Sequence, residues 1–145
     1  MLDVKVVRTR QTNYPEVFKA INAKFLRETG GTVLKATKDN IERKHITDLG
    51  GLKGSYHFKV SGDQVSIGTN LKYAPYVEYG TGIYAESGNG RKTPWSYFSK
   101  KYGWVTTRGM VARPHLRPAL DNNRKFLVAL WADTYNKVFR VLGGK

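Results

Sequence analysis

The chain has 145 residues, of which 25 are basic and 11 acidic, and its formal net charge at pH 7 is +14. This length predicts a single domain, residues 1–145, with a core large enough to need no disulfide or metal. The sequence has no cysteine, so a disulfide framework and a thiolate metal site are excluded.

The N-terminus carries Asp3 where a secretion signal would carry basic residues, and no long apolar run follows it. A membrane span would need roughly 18 consecutive apolar residues, and no segment of the sequence provides them. We therefore expect the protein to be made in a cytoplasm and to work without a membrane.

The first predicted element is helical and covers residues 14–46. Apolar side chains recur there with the spacing of an amphipathic helix, and Asn13 is a candidate N-cap. Gly30–Gly31 interrupts the pattern, and each interior glycine costs about 1 kcal/mol relative to alanine. The pattern therefore fits either one long helix or two helices that meet at the glycines. His45 is expected on the face of this helical segment.

A β-hairpin is predicted over residues 55–68, with a tight turn at Gly62–Asp63. Polar residues alternate with apolar ones on both strands, and His57 is expected on the outward side. The apolar side chains that share the other face are Tyr56, Phe58, Val60, Val65 and Ile67.

The composition changes after the hairpin. Six of the nine tyrosines lie within residues 73–102, together with several glycines. Residues 80–93 are predicted to be a mobile loop, because loops of this length in a small domain are usually functional or disordered. A second hairpin is predicted over 94–107, which completes a sheet and loop region at 55–107.

The last predicted element is a long helix at 114–142. Pro114 and Pro118 flank its start, where proline is tolerated, and Gly143–Gly144 ends it. The predicted fold class is therefore α+β. It consists of an N-terminal helix or helix pair, a small antiparallel sheet with a long aromatic and glycine-rich loop, and a long C-terminal helix.

Motifs for catalysis or cofactor binding are weak. Residues 80–82 begin like a dinucleotide fingerprint and 88–93 resemble a phosphate loop, but the surrounding pattern that either motif requires is missing. Their glycines are expected to be turn glycines. The three histidines lie in separate elements, and Glu78 and Glu86 are the only acids in the aromatic region. We therefore predict no enzyme activity, no metal and no cofactor.

Basic and aromatic residues interleave within residues 91–104, and the segment 91–145 carries +10 of the net charge. Three interpretations remain open: a protein–protein interface, a surface that stacks and neutralises nucleic acid, and a hairpin whose aromatic residues belong to the core. The residues predicted to face DNA or another anion are Arg91, Lys92, Lys100 and Lys101.

Three segments together resemble a known family. They are TDLGGLKGSY at 47–56, YAPYVEYGTG at 73–82 and ARPHLRPA at 112–119. The family comprises minor tail or neck components of lambdoid, Hong Kong-type tailed bacteriophages, which are called tail-completion or head–tail connector proteins. Two positions depart from its pattern: His115 stands where phenylalanine is usual, and Leu49 where threonine is usual.

The resemblance implies a structural virion protein without catalysis, made in the host cytoplasm. Such a protein forms a ring at the head–tail junction around the DNA passage, with six or twelve copies suggested by phage symmetry. Its implied partners are copies of itself, the neighbouring adaptor, terminator and tube proteins, and the DNA in the channel. The alternative function is a basic nucleic-acid-binding module.

We also expect particular roles for residues in and near these segments. Within the signature, Tyr73, Tyr76 and Val77 are expected to pack on the sheet and the last helix, and Glu78 to pair with Arg113 or Arg117. The full set of structural signature residues is Tyr73, Tyr76, Glu78, Gly80, Thr81, Arg113, Pro114 and Pro118. The aromatic loop and hairpin are expected to contact the neighbouring copy through Tyr84, Trp95, Tyr97, Tyr102 and Trp104.

Overall fold

The computed structural model of the chain describes residues 2–7, 16–46 and 50–141. The candidate cap Asn13 lies outside these ranges. The elements, in chain order, are β1 (Leu2–Val7), α1 (Glu16–Arg43), α2 (Gly50–Ser55), β2 (His57–Ser61), β3 (Gln64–Thr69), α3 (Ala74–Tyr79), β4 (Trp95–Ser99), β5 (Gly103–Thr107) and α4 (Leu116–Val141). The prediction of an α+β fold is confirmed. No described helix is long and apolar enough to cross a membrane.

A single helix, α1, runs through both central glycines. Gly30 lies against the Phe58 ring of β2, and a Cβ at this position would come within 2.5 Å of ring atom Cδ2. Gly31 has no atom within 4 Å of the corresponding point. The sheet can therefore approach the helix closely at Gly30. The helix ends at Arg43, and His45 lies in the following turn with φ of 49° rather than on the helix face, which corrects the prediction.

These two glycines give a matched pair of substitutions. Gly30→Ala is expected to lower the free energy of unfolding by roughly 1–2 kcal/mol, because the new methyl group overlaps the Phe58 ring. Gly31→Ala is expected to raise it by about 0.5–1 kcal/mol, since alanine favours the helix and meets no neighbour. Urea unfolding followed by circular dichroism measures both changes. Equal effects of the two substitutions would contradict this account of the helix–sheet contact.

The main sheet has three antiparallel strands in the order β1-β3-β2. The predicted hairpin is confirmed as β2 and β3, with its turn at Gly62–Asp63 and Val65 and Ile67 fully buried. The strand β1 was not predicted, so the chain begins with a strand and not with the predicted helix. It pairs with β3 from Leu2↔Thr69 to Val7↔Gln64.

The helix α1 packs against β2 and β3 of this sheet, and α4 packs along α1. Both helices and the sheet contribute residues to the core. The two helices are antiparallel, because Phe18 near the start of α1 contacts Tyr135 near the end of α4. At the opposite end, the Asn40 amide donates to the carbonyl of His115. The fully buried core residues come from several elements and include Val33, Leu52, Ile67, Ala74 and Leu116.

The second predicted hairpin is confirmed as β4 and β5, which form a separate two-stranded sheet. The region 55–107 therefore contains two sheets and not one. The last helix begins at Leu116, two residues later than predicted, so Pro114 precedes it and Pro118 lies in its first turn. A proline there costs no hydrogen bond, because the first N–H groups of a helix have no partner within it.

Candidate functional site

The strands β4 and β5 and their connecting turn form a projection that we call the arm, residues 94–107. Among the described residues each of its strands pairs only with the other, so no third strand extends this sheet. Four of its aromatic side chains are exposed: Tyr97 (49%), Phe98 (63%), Tyr102 (65%) and Trp104 (76%). The interpretation of these aromatic residues as core is therefore wrong.

Both faces of the arm carry apolar groups. On one face Phe98 stands directly opposite Trp104, and their ring centroids are 5.9 Å apart in a T-shaped contact. On the other face Tyr97 stands opposite Val105. An isolated two-stranded hairpin is marginally stable in water. An arm with exposed aromatic side chains on both faces has the chemistry of a surface that another molecule covers.

Two chain segments connect the arm to the rest of the fold, and they are tied together. The N–H of Thr81 donates to the Met110 carbonyl at 2.9 Å, and the N–H of Ile83 donates to the Arg108 carbonyl at 3.0 Å. Gly82 has a positive φ of 61°, and a Cβ there would lie 1.9 Å from the Arg108 carbonyl oxygen. The prediction that this glycine serves a turn is confirmed, and the first residues of the 80–93 loop are fixed by these bonds.

The base of these segments is held by Glu78, a fully buried carboxylate on α3. We call Glu78 and its partners Arg117 and His115 the anchor. Its Oε2 accepts the backbone N–H of His115 at 2.8 Å and that of Leu116 at 3.1 Å. Its Oε1 accepts the backbone N–H of Arg117 at 3.1 Å. These are N–H groups of the α4 N-terminus, where a negative charge is favoured by the helix dipole. Glu78 therefore caps α4 from a distant part of the chain.

Arg117 ties the anchor to the loop that leads into the arm. Its Nε donates to Glu78 Oε1 at 3.1 Å. Both of its terminal nitrogens contact the Glu86 carboxylate, at 2.9 and 3.0 Å, and the guanidinium lies 4.4 Å from the centre of the Tyr79 ring. The predicted pairing of Glu78 is thus made with Arg117. The alternative, Arg113, points an exposed side chain outward and contributes its backbone N–H to Val77.

The electrostatics of the anchor favour a charged Glu78. Burial acts to raise the pKa of this carboxyl. The backbone N–H groups of His115, Arg117 and Leu116 and the charge of the His115 ring outweigh burial, so the pKa lies below its usual value. The carboxylate is therefore ionised at neutral pH, and its charge is compensated by the helix end and by Arg117.

The buried His115 ring completes the anchor. Its Nε2 lies 2.9 Å from the Tyr56 hydroxyl, and its Nδ1 lies 2.9 Å from the Arg113 carbonyl and 3.0 Å from Glu78 Oε2. Burial, and then the charge of Glu78, raises the pKa of Tyr56, so this hydroxyl stays protonated at neutral pH. Histidine fits here because both of its nitrogens have partners.

The sequence model of one family, described as "Bacteriophage HK97-gp10, putative tail-component", matches residues 6–80. The chain belongs to this HK97-gp10-like family. It is therefore a structural tail component of a bacteriophage and a protein of the virion, and such components are typically not enzymes. The match includes the first of the three segments that carry the resemblance and residues 73–80 of the second, whereas the arm and α4 lie beyond it. No match was found among curated proteins or among solved structures.

The remaining signature residues of this HK97-gp10-like protein take different positions. Tyr73 packs partly buried against the core, and Val77 is buried, as predicted. Tyr76 is 59% exposed, so the prediction that it packs on the sheet and the last helix is wrong. The reason is the short α3 helix, which turns Ala74, Val77 and Glu78 inward and leaves position 76 on the opposite side.

The predicted anion-facing residues have neutral contacts. Arg91 donates to the Thr93 hydroxyl and lies over the Trp95 ring, and Lys92 donates to the Gly88 carbonyl. Lys100 is exposed in the turn of the arm, and Lys101 lies over the Tyr102 ring. Among the predicted interface residues, Tyr84 is exposed and Trp95 is half-buried. Phe98 was not among them, although its place opposite Trp104 across a three-residue turn is visible in the sequence.

Proposed function

We propose that this tail component is a ring-forming subunit at the head–tail junction, where it completes the neck or tail and joins head and tail around the DNA channel. The family supports a structural role in the tail. A ring of six or twelve copies, with contacts to adaptor, terminator or tube proteins, is the arrangement that the sequence resemblance implies.

The observation that carries the proposal is the arm. Tyrosine, tryptophan and other large aromatic side chains dominate the energetics of protein interfaces. Here they stand on a projection that the described part of the chain leaves exposed. We assign the contact between neighbouring copies to the predicted interface residues and to Phe98, a set that comprises Tyr84, Trp95, Tyr97, Phe98, Tyr102 and Trp104.

A closed ring requires a heterologous contact, in which one patch meets a different patch on the next copy. The arm supplies the first patch. A second patch of a different shape is available on α4, where Val128, Trp131 and Phe139 are exposed on one side of the helix. A projecting hairpin and the side of a helix are suited to such a head-to-tail arrangement.

The proposal is tested by the mass and shape of the purified chain, measured by light scattering and negative-stain microscopy at low and high salt, with and without DNA. We expect rings, or monomers that add to head or tail intermediates, without any need for DNA. A stable monomer that joins neither intermediate and changes only with DNA would instead favour the alternative, a nucleic-acid-binding module.

A further inference from the structure

The positive charge of the chain is concentrated around the arm. Residues 87–120 contain no aspartate and no glutamate, so all 11 acidic residues lie outside this run. The run contains seven basic residues, namely Arg91, Lys92, Lys100, Lys101, Arg108, Arg113 and Arg117. Of these, Arg117 is neutralised by Glu78 and Glu86.

The basic residues beside the arm keep their charge available. Arg91 and Lys92 bond to a hydroxyl and a carbonyl, which leave the net charge in place. Lys100 and Arg108 are exposed. On the helices the situation differs, because Lys137 pairs with Asp133, and Lys24 with Glu28. Among the described residues, Arg91, Lys92, Lys100 and Arg108 therefore make the arm and its base a local source of positive potential.

The shape of the arm also restricts the partner. It is a two-stranded antiparallel ribbon with five residues in each strand and the turn 100–102 at its tip. Five residues span roughly 17 Å. The major groove of B-form DNA admits a two-stranded β-ribbon, and lysines at the tip and arginines near the base are then placed to meet phosphates.

We propose that the arm and the residues beside it bind the phosphate backbone of double-stranded DNA through Arg91, Lys92, Lys100 and Arg108, without preference for sequence. DNA is favoured over an acidic protein surface because the whole chain is strongly positive, and a long polyanion gains from that field as well as from the arm itself. This inference names a ligand for the arm beyond the contact between copies, and it holds for the isolated chain whether or not rings form.

The test uses the full chain and a short random-sequence duplex, with the affinity measured by fluorescence anisotropy over a range of salt concentrations. The arm variant, Lys92→Ala/Lys100→Ala/Arg108→Ala, removes charge from the arm and from the residues beside it. The control Lys35→Ala/Lys59→Ala/Lys72→Ala removes the same charge from exposed residues elsewhere. Each lost phosphate contact should lower the slope of log affinity against log salt by about 0.9. We expect this slope to fall by about 2–3 for the arm variant and to change little for the control.

Several results would overturn the inference. One is the absence of binding at low salt, and another is an equal loss in both triple variants, which would mean diffuse attraction only. If a single strand bound more tightly than the duplex, and Trp104→Ala removed this preference, the ligand would be single-stranded DNA whose bases stack on the arm. Weaker binding of the arm variant to polyglutamate but not to DNA would identify an acidic protein as the partner. Light scattering on the same variants shows whether they still form rings, so a loss of DNA binding can be told apart from a loss of assembly.

Discussion

Replacing Glu78 by glutamine is expected to lower the free energy of unfolding by about 3 kcal/mol. The carboxylate accepts three backbone N–H groups of α4 and the Arg117 side chain in a fully buried position. A glutamine keeps one acceptor oxygen, but its NH₂ group faces N–H donors and it no longer compensates Arg117. Chemical and thermal unfolding at neutral pH measure the loss.

The matched control is Glu86→Gln, which removes the other carboxylate partner of Arg117. The side chains of this pair are 37% and 42% exposed, and an ion pair that water screens in this way contributes little, so we expect a loss below about 1 kcal/mol. Similar losses for the two variants would contradict the assignment of Glu78 as the anchor.

The pH dependence gives the Glu78 prediction a second readout. The pKa of Glu78 is lower in the folded chain than in the unfolded chain. Its contribution is therefore fully present above the unfolded value of about 4.3 and is lost as the pH falls through the folded value. The difference in stability between the natural chain and Glu78→Gln should stay constant above about pH 5.5 and shrink in more acidic solution. A difference that grows on acidification would exclude this explanation.

The second large effect is expected on assembly and not on folding. The double variant Phe98→Ala/Trp104→Ala removes the aromatic pair from one face of the arm. Hot-spot aromatic residues contribute about 2 kcal/mol or more each to an interface, so association should weaken by at least about 100-fold. Because both side chains are exposed, the unfolding free energy should change by less than about 1 kcal/mol. Light scattering and complementation of particle assembly measure the first effect, and urea unfolding the second.

The control for the arm is Tyr76→Ala/Val111→Ala, which removes two side chains of comparable exposure outside it. These substitutions should leave assembly unchanged. If the control impaired assembly as much as the arm variant, exposed apolar area in general would matter and not the arm.

The periodicity of the sequence predicts the regular elements well. Apolar spacing identifies α1 and α4, and the Gly62–Asp63 turn identifies the β2–β3 hairpin. The strand β1 was missed although Leu2, Val4 and Val6 alternate, because six residues at a terminus carry little signal without the partner strand. Whether the helix would cross Gly30–Gly31 also depended on the Phe58 ring, which lies far away in sequence.

The contacts of Glu78 could be predicted only in part from the sequence. A partner for Glu78 was expected among two arginines four residues apart, and helical periodicity alone does not choose between them. The start of α4 decides, because Arg117 lies in its first turn with its N–H and side chain on the Glu78 side, whereas Arg113 precedes the helix. The exposure of the arm is likewise a tertiary property, since the same aromatic pattern would fit a buried hairpin.

The central claim, that the arm joins neighbouring copies in a ring, is tested most directly by cross-linking in assembled particles. The chain has no cysteine, so Thr106→Cys, on the arm face that carries Phe98 and Trp104, gives one defined attachment site for a short photoreactive cross-linker. We predict a ladder of covalent multimers of this chain that ends at the copy number of the ring. Cross-links only to other virion proteins, with no product that contains two copies of this chain, would contradict the claim.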